Sequence, residues 1–145
     1  MIVIYTDGLA EPRNPGIATY GYVIYRDNDL LKSGHGFAGD PATNNYAEYA
    51  GLVAALRAIA ELRDEEVIVR ADSKLLVNQM AGEWSVSKKA SRGAEGSYYE
   101  KFLEARSLAN RFTRIRFEWI PREQNLQADE LSRVAYRERL ARHAR

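Results

Sequence analysis

Cysteine is absent from this 145-residue sequence, which excludes a disulfide framework and a cysteine-ligated zinc site. Long apolar runs are missing too: no window of about 18 uncharged apolar residues occurs, so no membrane span is expected. The strand-like run that opens the sequence leaves no room for a secretory or transit peptide, and a cytoplasmic protein is expected. Charge of one sign is scarce. With a net charge of +1, any hold on nucleic acid must come from local patches and be modest and salt-sensitive. Repeats, low-complexity tracts and linkers are lacking, so residues 1–145 are read as one domain with room for a real core. The uneven part is a basic tail over about 133–145, where Arg133, Arg137, Arg139, Arg142 and Arg145 face only Glu138. These arginines suit the dipole of a solvated helix end as well as they suit a nucleic-acid contact.

What is present alternates strands with helices. Ile2-Val3-Ile4-Tyr5-Thr6 reads as a strand buried on both faces, with Asp7 at its end and Gly8 turning the chain away. Leu9 to Ile17 carries Pro12, Asn14, Pro15 and Gly16, which is turn chemistry. Tyr20 to Tyr25 is a second strand, Asp27-Asn28 a short connection and Leu30 to Phe37 an antiparallel return, followed by a loop from Gly39 to Thr43. A helix is expected from about Asn45 to Leu62, where Leu52, Ala55, Leu56, Ile59 and Leu62 recur at helical spacing. Val67-Ile68-Val69 starts a further buried strand that stops at Asp72-Ser73, and Lys74 to Met80 follows as a short helix. Gly82 to Gly96 is loop-like and holds Trp84, Lys88, Lys89 and Arg92. Tyr98 to Phe112 is helical, Ile115 to Ile120 is a strand ended by Pro121, and Asn125 caps a last helix to about Leu140. This order predicts an α/β fold: a five-stranded mixed sheet, three antiparallel strands extended by two parallel ones, with helices on both faces. Ligands of such sheets gather outside the carboxyl ends of the parallel strands.

Acidic residues fall at those ends. Asp7 either caps a turn or faces a cation, since a lone buried carboxylate is costly without positive charge. Asp72 precedes a helical run and can act as its N-cap or lie beside Asp7. Glu48 shares the helix face of Leu52 and Leu56, and Asn45-x-x-Glu48 also fits a capping box. Asp129 lies one turn into the last helix, where the dipole alone would favour it. Two strand ends and two helix first turns can nonetheless open on one sheet edge. Four carboxylates crowded there repel one another unless divalent cations neutralise them, and all-oxygen ligation suits Mg²⁺ or Mn²⁺.

Thr6-Asp7-Gly8, Asn14-Pro15-Gly16, Thr43-Asn44-Asn45-x-x-Glu48, Ala71-Asp72-Ser73 and Ala128-Asp129-Glu130-Leu131 together resemble type 1 ribonuclease H, in that family's order and spacing over essentially the whole chain. The resemblance implies a ribonuclease H-like fold and endonucleolytic hydrolysis of the RNA strand of RNA–DNA hybrids, leaving 5′-phosphate and 3′-hydroxyl ends. It implies that Asp7, Glu48, Asp72 and Asp129 are catalytic and hold two Mg²⁺ ions, with Mn²⁺ as the alternative. Asp7 would bridge both ions, Asp129 would help hold the one that positions the attacking water, and Glu48 and Asp72 the one nearer the leaving group. By the same resemblance Thr43 would hold a DNA phosphate, while Asn14, Asn44 and Asn45 reach bases or sugars in the minor groove. The Gly8 to Ala10 backbone would lie near RNA 2′-hydroxyls, so cleavage would be largely sequence-independent. Ser73 and Lys74 are placed to meet the RNA backbone, and Trp84 would pack on a deoxyribose or in the core. Lys88, Lys89 and Arg92 would form a small basic patch.

The chain departs from the family pattern in two places. Many relatives carry a histidine between the last strand and last helix, thought to assist turnover; here that loop reads Pro121-Arg122-Glu123-Gln124-Asn125, and Arg122 or Glu123 is expected to substitute. His35 and His143 are expected to have surface or turn roles. The Glu83 to Gly96 loop is shorter and less basic than the family's protrusion, and no separate hybrid-binding domain is expected before the fold. The expected unit is a monomer acting on a hybrid, away from membranes. Two other classes compete: a non-catalytic hybrid-binding module, which need not keep all four carboxylates, and another nuclease or strand-transfer enzyme of this fold. A Gly-x-Gly-x-x-Gly nucleotide binder is disfavoured, because no such run follows the first strand.

Overall fold

A computed structural model describes residues 1–86, 92–93 and 96–143. Lys88, Lys89 and Arg145 lie outside the described residues, as do the side chains of Arg92 and His143. In chain order the elements are β1 (Ile2–Glu11), β2 (Gly16–Arg26), β3 (Asp29–Ala42), α1 (Asn44–Ala58), β4 (Glu66–Ala71), α2 (Lys74–Met80), β5 (Arg92–Gly93), β6 (Gly96–Ser97), α3 (Tyr99–Ala109), β7 (Arg114–Trp119) and α4 (Leu126–His143). One 3₁₀ turn, Ala60–Leu62, extends α1, and another, Arg122–Gln124, leads into α4. Among the described residues, no helix is long and apolar enough to cross a membrane.

The main sheet has five strands in the order β3-β2-β1-β4-β7, with β1 antiparallel to β2, β2 antiparallel to β3, and β4 parallel to both β1 and β7. This is the predicted arrangement. The strands are longer than expected, however. β1 continues past Asp7, because its parallel pairing with β4 ends at Thr6 opposite Ala71 while its antiparallel pairing with β2 persists to Glu11 opposite Ile17. Asp7 is therefore inside β1, where the sheet loses one neighbour, and the expected turn shrinks to residues 12–15. β3 likewise runs on to Ala42 through Pro41, which an edge strand tolerates because its outer side needs no donor.

Side chains alternate across β1, and the two faces receive different helices. On one, Ile2, Ile4, Ile24, Val67 and Val69 pack against Leu52, Leu56, Tyr49 and Phe102, so α1 lies between the sheet and α3. A Cβ on Gly8 would come within 2.5 Å of the Ala47 carbonyl carbon and the Glu48 nitrogen, so glycine there lets α1 begin against β1. The other face belongs to α4. Gly21, the partner of Asp7, would place a Cβ 2.6 Å from the Ser132 nitrogen and from Leu131 Cβ. Helices thus cover both faces, and both approach the same end of β1. Gly21→Ala is expected to force α4 outward and destabilise the protein by about 1–3 kcal/mol, measured by chemical denaturation.

Candidate active site

Four elements deliver a carboxylate to that end of β1. Asp7, Glu48, Asp72 and Asp129 line one open cleft of about 490 Å³, together with Gly8, Leu9, Ala10, Asn14, Asn44, Trp119, Arg122 and Arg133. Oxygens of Asp7, Glu48 and Asp72 all lie within 4.8 Å of one another. Asp129 stands beside Asp7 but outside this tight group, and its Oδ2 accepts from Arg133 Nε at 3.3 Å.

Local chemistry explains how each residue reaches the cleft. The N-cap of α1 is Thr43, whose Oγ1 accepts from the Tyr46 N–H at 3.1 Å. The expected Asn45–Glu48 capping box does not form, since the N-cap is Thr43, two residues earlier, and Glu48 falls past the capping position. Glu48 is free to face Asp7. Ser73 rather than Asp72 caps α2, accepting from the Leu76 N–H at 3.1 Å, which leaves the Asp72 carboxylate to the cleft. Asn125 stands before α4 as predicted, but its buried side chain does something else: Nδ2 donates to the Thr6 carbonyl at 2.9 Å and ties the start of α4 to β1. Trp119 Nε1 donates to the Asp72 carbonyl at 3.2 Å and fixes the end of β4. Neither tie was visible in the sequence, because an asparagine before a helix reads as a cap and a tryptophan ending a strand reads as core.

Burial and mutual repulsion set the electrostatics. Burial first, then the charge of Asp72, pushes the Asp7 carboxyl up to about 7, and the neighbouring Asp129 adds to the rise. Glu48 is raised well above the usual carboxylate range by burial, then by Asp7 and Asp72. Asp72 is raised by burial, partly offset by hydrogen bonding from Asn125 and the nearby Arg122 guanidinium. Among the described residues, Glu48 Oε2 is buried without a hydrogen-bond partner. An orphaned acceptor among converging carboxylates fits a hard divalent cation, which takes oxygen ligands and cancels the repulsion. Asp7, Glu48 and Asp72 could hold such a cation directly, with Asp129 at its side.

Asn14 and Asn44 meet at the cleft wall: Asn14 Nδ2 donates to Asn44 Oδ1 at 2.6 Å, and the Asn44 N–H donates to Asn14 Oδ1 at 3.0 Å. Thr43, Asn45, Ser73 and Lys74 lie near the cleft in sequence but are not part of its lining. Lys74 Nζ sits 4.8 Å above the Trp119 ring, and Trp84 is exposed, which removes the core alternative for it. In the last loop Arg122 enters the cleft. Glu123 does not; it lines a separate hollow with Tyr5, Tyr25 and Leu126, because the 3₁₀ turn points successive side chains apart. His35 is engaged by Glu138 Oε1 at 2.9 Å on the surface. The tail arginines are partly tied back: Arg137 to Glu130 at 2.8 Å, and Arg139 over the Phe37 ring at 4.0 Å.

Comparison with known proteins agrees with this geometry. A family model described as reverse transcriptase-like matches residues 6–135. The chain is 34% identical over 131 residues to ribonuclease HI of Halobacterium salinarum, covering 90% of this chain and 62% of the relative. It is 38% identical over 135 residues to the bifunctional protein Rv2228c of Mycobacterium tuberculosis, covering 92% of this chain but spanning only 35% of that relative's length. The solved N-terminal RNase H domain of Rv2228c superposes with a TM-score of 0.83 at 37% identity, covering 99% of this chain and 98% of that one. LC11-RNase H1, solved in complex with an RNA/DNA hybrid, matches at TM-score 0.84 and 36% identity, covering 97% and 99%.

The raised Asp7 carboxyl makes the metal-free fold lose stability as pH rises from acid to neutral. An unfolded Asp7 releases its proton near 3.8 and the folded one near 7, so the folded state holds more protons in between, and stability present at low pH is lost as pH rises through that window. Melting curves in chelator are expected to show up to about 1.4 kcal/mol lost per pH unit there, with Asp7→Asn flattening the slope. Divalent cation should raise the melting temperature most above pH 7; equal pH dependence of wild type and Asp7→Asn would contradict the assignment.

Proposed function

We propose that this chain, which belongs to the type 1 ribonuclease H family, hydrolyses the RNA strand of RNA–DNA hybrids endonucleolytically. The observation that carries the reading is the meeting of Asp7, Glu48, Asp72 and Asp129, from four separate stretches of chain, on one cleft whose tightest trio includes an unpartnered buried carboxylate oxygen. The hybrid bound to LC11-RNase H1 supports the choice of substrate.

Asp7, Glu48, Asp72 and Asp129 would hold two Mg²⁺ ions, or Mn²⁺ in their place, with Asp7 shared. Bound there, the ions would supply Lewis-acid stabilisation to the oxygens of a phosphodiester, and the expected products carry 5′-phosphate and 3′-hydroxyl ends. The chain's own residues orient the strand. Asn14 and Asn44, already in register with one another at the cleft wall, exchange their mutual hydrogen bonds for the minor groove of the hybrid, with Asn45 beside them and Thr43 holding a DNA phosphate at the start of α1. Gly8 lines the cleft next to Asp7, its missing side chain making room for α1 behind it, so its backbone can meet a 2′-hydroxyl from the open side. Ser73 and Lys74 follow Asp72 directly and meet the RNA backbone as it leaves the cleft, while the exposed Trp84 offers a face for a deoxyribose. These contacts read sugars and phosphates, so cleavage is largely independent of sequence. Arg122, placed beside Asp72, meets the scissile phosphate in the loop where many relatives have histidine. The reading also places the chain in the cytoplasm, acting as a monomer.

A labelled hybrid incubated with Mg²⁺ should lose only its RNA strand, and chelator should stop the reaction. Asp7→Asn should slow cleavage at least about a hundredfold, about 2.7 kcal/mol of barrier. Arg122→Ala should reduce turnover at saturating hybrid while Glu123→Ala does not. Cleavage that survives chelation, or no cut of any hybrid with either metal, would overturn the function.

A further inference from the structure

We propose that Arg133 is a counter-ion that occupies Asp129 until a divalent cation takes its place, and then turns to a phosphate of the bound strand. The inference rests on reading the cleft as a cation-dependent nuclease site and adds to it a residue with two successive partners.

The four carboxylates do not share one environment. Asp7, Glu48 and Asp72 form the compact trio, whereas Asp129 is paired through Oδ2 with Arg133 Nε at 3.3 Å, one turn along α4. Both Asp129 and Arg133 line the cleft, with side chains 19% and 37% exposed, so the pair sits at its rim within reach of solvent and ligand. The other arginine of the cleft, Arg122, acts on Asp72 instead.

A guanidinium is broad and planar and satisfies one carboxylate from outside, whereas a divalent cation is compact and gathers several oxygens at about 2.0–2.6 Å. Drawing Asp129 into the oxygen set around Asp7 therefore competes with its bond to Arg133, and the arriving cation repels the guanidinium. The two events are linked, and linkage is reciprocal: whatever weakens the arginine's hold strengthens the cation's. Once released, Arg133 remains anchored on α4 at the cleft wall with its donors unspent. A phosphate is the ligand that such a planar fork suits best.

The test uses the full chain. Mn²⁺ is titrated by calorimetry, without substrate, into the wild type, Arg133→Gln and Arg133→Lys; glutamine keeps a donor and removes the charge, so the fold is not at stake. Arg133→Gln should bind Mn²⁺ about three- to tenfold more tightly, with Arg133→Lys near wild type. At saturating Mg²⁺, Arg133→Gln should raise KM for the hybrid more than it lowers kcat. Unchanged or weaker Mn²⁺ binding in Arg133→Gln would overturn the counter-ion, and an unchanged KM would overturn the transfer to phosphate. If the wild type cuts no hybrid, the nuclease reading fails by itself, while the Mn²⁺ isotherms still decide the role of Arg133.

Discussion

Like charges held together in a confined space are the constraint to which the rest of this molecule answers. Asp7 and Glu48 are buried, Asp72 lies beside them, and burial and repulsion raise all three carboxyls. Left to itself, such a group would spread. It does not spread because each member is fixed by structure that has its own reasons to form. Asp7 sits inside a strand, Glu48 in a helix pressed onto Gly8, and Asp72 between a strand end tied by Trp119 and a helix capped by Ser73. The hydrophobic packing of α1 and α4 on the two faces of the sheet supplies the energy that holds the carboxylates at close range. Their repulsion is then a standing demand for cations.

Asn125 shows how far this positioning extends. Its side chain is buried and spans from the turn before α4 to the backbone of Thr6, so α4 is registered on the strand that carries Asp7. Gly21 does the same job by omission, allowing the α4 backbone to touch β2 opposite Asp7. Asp129 depends on both. A carboxylate held beside Asp7 benefits from a helix that cannot slide, because errors of an ångström in placement are costly to binding and catalysis.

The mixed sheet of three antiparallel strands extended by two parallel ones, and the acidic residues at its edge, were legible in the sequence because they depend on patterns that local physics imposes. Apolar strand runs, helical spacing after residue 44 and acidic residues at the ends of those runs all survive in the fold. What was not legible depended on pairing between distant segments. Gly8 and Pro12 signal a turn locally, yet β2 supplies partners that carry β1 on to Glu11. Asn45 and Thr43 are both good caps, and only the helix start chooses between them. Whether Arg122 or Glu123 enters the cleft is decided by a short 3₁₀ turn whose phase leaves no mark in composition. Arg133 looked like one more charge of a basic tail, and its pairing with Asp129 emerges only once α4 is laid over the cleft.

The loop before α4 brings an arginine, Arg122, to the cleft, and this has a consequence for how the cleft responds to its surroundings. Imidazole changes charge between about pH 5 and 8, so a histidine there makes the loop itself a proton switch. A guanidinium keeps its charge throughout that range. Among the carboxyls it is Asp7, pushed up to about 7, that loses its proton within that range, and a cation gains a ligand as it does. Loss of the Asp7 proton and cation binding therefore favour one another, while a guanidinium keeps its charge through both. The cleft in this way joins two kinds of charge: carboxylates that can exchange a proton for a cation, and guanidinium groups whose charge stays the same even where their partner changes.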